Sequence, residues 1–145
     1  MEYAQGQAGR VFVIRFDDGE DILTGLTELA DHEGIASATV SVLGALRRAE
    51  LVCGPQEPII PPARLKQSFA DAREIVGWGT IFPADGRPAV HLHVACGRAD
   101  HTFVGCLQPG SEVFLVAEAV VQELVCPAAR REPLPGSELR LLRVS

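Results

Sequence analysis

The chain has 145 residues, 47% of them hydrophobic and 22% charged, and carries a formal net charge of −6. One ordinary domain is expected, able to bury roughly 70% of its unfolded surface without a disulfide or metal staple. This composition excludes disorder and fibrous repeats, and the acidic balance argues against autonomous duplex DNA binding, which needs a surplus of lysine and arginine to neutralise phosphates.

Residues 1–10 are polar and without periodicity, and are expected to be disordered or frayed, with the domain running over 11–145. No apolar run nears the ~20 residues that cross a bilayer. The four cysteines, Cys53, Cys96, Cys106 and Cys126, form no Cys-x-x-Cys pair and read as reduced thiols, which suits a cytoplasmic location.

Val11 to Phe16 form a β-rich run that ends at Asp17-Asp18-Gly19. Asp17 or Asp18 can cap a helix in which Glu20 and Asp21 suit the first turn. Ile22, Leu26, Leu29 and Ala30 then recur at helical spacing until Gly34. From Ile35 the chain turns β-branched. Two strands separated by Gly44 are expected, the second over Ala49 to Cys53, followed by a proline-bearing loop from Pro55 to Pro62.

Ile75 to Phe82 reads as a strand in which Gly77 and Gly79 permit a bulge or a close backbone approach. Asp85-Gly86 turns it into Ala89 to Ala95, a hairpin. Val113 to Leu124 is ambiguous, since its period favours a helix and its valines a strand. A proline-rich connection, Pro127 to Pro135, leads to a last strand over Glu138 to Val144.

The chemistry concentrates in Ala89-Val90-His91-Leu92-His93-Val94-Ala95. At i and i+2 on a strand the two imidazoles project from one face, ~6 to 7 Å apart at the backbone, and can converge on one divalent metal. Zinc needs a third protein ligand in most sites, and Cys106 and His101 are the candidates in reach. The same pattern fits two polar residues on an exposed strand face or a hydrogen-bonded pair in a subunit contact. Asp100 and Glu118 are candidate acids or bases near the histidines, and Arg15, Arg73 and Arg98 candidate clamps for an anionic ligand. His32 suits the C-terminal end of the first helix.

The order of features carries a family resemblance. Arg15-Phe16-Asp17-Asp18-Gly19-Glu20-Asp21-Ile22, Gly44-Ala45, Arg73-Glu74-Ile75-Val76-Gly77-Trp78-Gly79-Thr80, His91-Leu92-His93-Val94, Gly97-Arg98-Ala99-Asp100 and Val104-Gly105-Cys106-Leu107 follow in turn. From about Val11 to Leu124 the chain resembles the PPC domain, the plant and prokaryote conserved domain.

The resemblance implies an α/β (α+β) fold, a largely antiparallel mixed sheet flanked by helices, assembled as a homotrimer. It also implies a strand for Val113 to Leu124. Many prokaryotic members have a third histidine downstream of His-x-His, and the corresponding stretch here offers Cys106, so the implied metal set is His91, His93 and Cys106 with zinc as the ion. In plant members of the family the DNA contact is made by a separate AT-hook, so a DNA-binding label would reach this chain by family resemblance only. No such arginine-glycine-arginine core occurs here, so direct nucleic-acid binding is not expected. Two functions follow as expectations. One is a trimeric regulatory or interaction module, metal-binding, with a protein or small-molecule partner. The other is a metal-dependent hydrolase or lyase acting on a small anionic substrate.

Overall fold

A computed structural model describes residues 1–144; Ser145, the last residue of the domain expected over 11–145, lies outside them. In chain order the elements are β1 (Gln7–Asp17), α1 (Ile22–Glu33), β2 (Ala38–Pro55), β3 (Arg64–Phe69) and β4 (Arg73–Ala84). They continue as β5 (Arg87–Arg98), β6 (His101–Leu107), β7 (Glu112–Val125), β8 (Ala129–Pro133) and β9 (Arg140–Val144).

The expected α/β sheet flanked by helices is overturned. Among the described residues the chain is mostly strand, 62% against 8% helical, with one helix on a nine-stranded sheet. The physical reason is local. Only Ile22, Leu26 and Ala30 repeat at helical spacing with a cap at each end, and all three are buried. In β7, by contrast, buried Ala117, Ala119 and Val121 alternate with exposed Glu118, Val120 and Gln122, the period of a strand. Both edges of β7 are paired, to β1 and to β2, which holds it extended against its helical spacing.

The helix is capped by Asp21, whose side chain accepts from the Thr24 N–H, not by Asp17 or Asp18. Asp18 instead ties a distant strand, accepting the Leu115 N–H at 2.7 Å and pairing with Arg47. Gly34 ends the helix in the left-handed region, as the αL cap requires. The strand ahead of the helix begins at Gln7, which pairs with Val125, four residues before the expected start.

The two strands expected around Gly44 are one. β2 runs unbroken for 18 residues and bends at Gly44, where φ is 140° and a Cβ would come within 2.5 Å of the Ala117 Cα. Only glycine lets the strand pass this close. The bend has a topological consequence. Residues 38–46 of β2 pair with β4, while Leu51 and Val52 pair with β6. Because β4 pairs with β5 and β5 with β6, the hydrogen bonding closes on itself around the core.

The two faces of the sheet differ. Val40, Val42, Leu92, Val94, Ala119 and Val121 share one face and are buried in one cluster with Ile22, Leu26 and Ala30 of α1. Truncating such a side chain costs about 2–5 kcal/mol. Val11, Val13, Leu43, Val76, Trp78 and Val104 lie on the opposite face and are exposed, Val13 at 83% and Trp78 at 63%. No helix among the described residues is long and apolar enough to cross a membrane.

Candidate metal centre and its cavity

The registers of β4, β5 and β6 assemble the site. Trp78 of β4 lies opposite His93 of β5, and His93 opposite Cys106 of β6. His91, two residues from His93, shares its face and lies opposite Thr80. Gly77 and Gly79 make this fit possible: a Cβ there would come within 2.6 Å of the His93 carbonyl oxygen and 2.5 Å of that of His91. The close backbone approach expected from these glycines is therefore what seats the histidine strand.

The two Nε2 atoms stand 3.1 Å apart, with the rings edge to face. One ligand atom from each of His91, His93 and Cys106 falls within 4.8 Å of the others. Bonds of about 2.0–2.1 Å to nitrogen and 2.3 Å to sulfur place tetrahedral zinc ligands over 3 Å apart, so the trio needs only small side-chain rotations to close on one ion. Two imidazoles and a thiol also form a donor set of the right softness for zinc.

Withdrawal from water holds His91 below its ordinary pKa, helped by Arg131 and then His93, so the ring is neutral and ready to coordinate near pH 7. Burial pushes the Cys106 thiol up, against the opposing pull of the Gln108 hydrogen bond and of Arg131 and Arg64.

A cavity of about 820 Å³ lies beside the trio. Val52, Val90, Leu139 and Leu141 supply apolar wall, and Arg64, Arg131 and Arg140 also line it. Arg131 is placed by β8, which meets the end of β4 in a parallel contact, Ala84 opposite Arg131. Its Nη2 donates to the Thr80 hydroxyl at 2.9 Å.

The other candidate residues lie elsewhere. Glu118 is three strands from His93, about 14 Å across the sheet at ~4.8 Å per strand. Asp100 sits in the β5–β6 turn beside His101, at the far end of β5. Arg15 is on β1, paired with Asp17. Arg73 and Arg98 converge on Asp71 from neighbouring strands. None of these five lines the cavity.

The model of the Plants and Prokaryotes Conserved (PCC) domain matches residues 3–125. The chain belongs to this family. A metal-containing protein of Archaeoglobus fulgidus superposes on this PCC domain with a TM-score of 0.85 at 27% identity, covering 97% of this chain and 98% of that one. A plant- and prokaryote-conserved protein of Pyrococcus horikoshii gives 0.80 at 26% identity, covering 97% and 100%. A protein of Bacteroides thetaiotaomicron, to which DNA binding is ascribed provisionally, shares the fold at 21% identity, with a TM-score of 0.77 over 96% and 97% of the two chains. Among curated proteins none matches.

The PCC match ends at Val125, whereas Arg131, Leu139 and Leu141 of the cavity follow it. Motif reading passed over Arg131 and Glu138, which follow the match, and Arg64 and Gln108, which lie within it but outside the quoted motifs. The available signal was slight. Arg131 is half of an adjacent arginine pair in a segment expected to be a mere connection, and it forms part of a strand.

Proposed function

We propose that this PCC domain is a metal-binding interaction module in which His91, His93 and Cys106 hold a zinc-class divalent ion, with the fourth coordination position facing the cavity. The convergence of the three donor atoms within 4.8 Å carries this reading. Further support comes from the Archaeoglobus fulgidus relative, itself metal-containing, at 27% identity over nearly the whole chain. With three protein ligands a bound zinc keeps one position for water or ligand, where it acts as a Lewis acid.

The module assembles as a homotrimer through the sheet face opposite α1. The support is the apolar surface of Val13, Leu43, Val76, Trp78 and Val104, which a single chain leaves exposed to water. A partner on the same face would meet the metal site directly, because Trp78, His93 and Cys106 lie in one register row. Duplex DNA is not the partner proposed, given the net charge of −6.

Metal analysis of protein purified without chelator tests the site: about one zinc-class ion per chain is expected, and none after loading with excess zinc would overturn it. Light scattering at several concentrations tests the assembly. A mass near three times the 15.5 kDa chain is expected, and a concentration-independent monomer would refute it.

A further inference from the structure

The guanidinium of Arg131 is half-buried, and its Nε is enclosed with no hydrogen-bond partner. Its one hydrogen bond among the described residues goes to the neutral Thr80 hydroxyl, and no carboxylate pairs with it there. Each other arginine of the cavity has an acid of its own, Arg64 in Glu138 and Arg140 in Asp85. Drawing a charge out of water without a counter-ion is costly, so folds ordinarily pair it. Here the cavity itself occupies the place of the missing anion.

The surroundings define what fits. A zinc ion with two neutral imidazoles and one thiolate keeps one formal positive charge, and Arg131 adds a second. Arg131 lines the same cavity as His91, His93 and Cys106, so a single bound group can meet both charges. Val52, Val90, Leu139 and Leu141 give the wall an apolar part, beside Gln108 and the Arg64–Glu138 pair, whose carboxylate is already matched by its own arginine. An inorganic anion would satisfy the charge but leave that wall wet. An organic carboxylate satisfies both.

We propose that the cavity binds a small organic carboxylate with an apolar body, its oxygens shared between the open position of the metal and the guanidinium of Arg131. This rests on the metal reading above for one of its two contacts, while the contact to Arg131 is independent of it. Planar guanidinium donors match a carboxylate in geometry as well as charge, which assigns Arg131 the orienting role.

Calorimetric titration of benzoate, with inorganic phosphate in parallel, into zinc-loaded wild-type protein, Arg131→Gln and Arg131→Lys tests this, with the zinc content of each measured. Benzoate should bind the wild type, bind Arg131→Gln about tenfold or more weakly, and bind Arg131→Lys with intermediate strength, all at equal zinc content. Phosphate should bind more weakly than benzoate. Equal benzoate affinity in wild type and Arg131→Gln, or no benzoate binding by the zinc-loaded wild type, would overturn the inference. Tighter phosphate than benzoate binding would overturn the organic class. If the protein takes up no zinc, the metal reading fails separately, and the same titrations on metal-free protein decide the Arg131 contact alone: Arg131-dependent binding sustains it and its absence refutes it.

Discussion

Arg73 and Arg131 are both set against phenylalanine rings within the fold, yet they are furnished differently. Arg73 lies between Phe69 and Phe103, its side chain 11% exposed, and Asp71 accepts from its Nε and Nη2. One further nitrogen, Nη1, is buried without a partner, but the charge as a whole is met. Arg131 lies near Phe82 and Thr80, lines the cavity, and has no carboxylate partner among the described residues. A guanidinium whose counter-ion comes from the same chain holds the fold together. One whose counter-ion must come from outside is available to a ligand.

The largest effect belongs to the ligands beside Arg131. His91→Ala, His93→Ala and Cys106→Ala should each lose stoichiometric zinc in equilibrium dialysis. His101→Ala should keep it, because His101 is exposed next to Asp100 in the adjoining turn. Loss of zinc in His101→Ala with retention in the histidine-strand variants would reverse the placement of the site.

The next effect is a slope. Because burial holds the Cys106 thiol protonated near neutrality, zinc uptake must displace that proton. Affinity should then rise about tenfold per pH unit below the thiol pKa. Competition with a colorimetric chelator from pH 6.5 to about pH 8 would measure it. A residual affinity in Cys106→Ala with the same slope would mean that the proton comes from elsewhere.

In stability the two arginines should part. Arg73→Ala removes packing between two rings and an ion pair, and should cost about 1–3 kcal/mol in urea unfolding. Arg131→Met removes an unpaired charge from a partly buried place and should be neutral or slightly stabilising in metal-free protein. Equal losses in the two variants would erase the distinction between them.

The smallest effect is at acid pH. The bond from Arg73, reinforced by Arg98 against partial desolvation, brings the Asp71 carboxyl down to about 2. A lowered pKa in the folded state means stability that is present above the unfolded value of about 4 and lost as pH falls through about 2. Thermal midpoints of Asp71→Asn should therefore fall less than those of the wild type between about pH 5 and 2. Parallel curves would assign the acid loss to other carboxylates, with Glu123, lowered to about 2 by Arg10, the first to examine.

Local pattern alone identified the helix through Ile22, Leu26, Ala30 and the Gly34 cap, the Asp85-Gly86 hairpin, and the shared face of His91 and His93. Each depends on neighbours close along the chain, where periodicity and turn chemistry act directly. The ordered motifs, taken together, also located the family. Tertiary structure alone decided the rest. The flanking helices expected around the sheet are absent from the described residues because long strands such as β2 and β7 satisfy their backbone groups by pairing on both edges. Cys106 comes opposite His93 through a hairpin register, and Arg131 reaches Thr80 across 51 residues of sequence. Such contacts leave no period in the sequence, because they depend on where strands meet in space, and the want of a counter-ion for Arg131 can be read only once all its neighbours are in place.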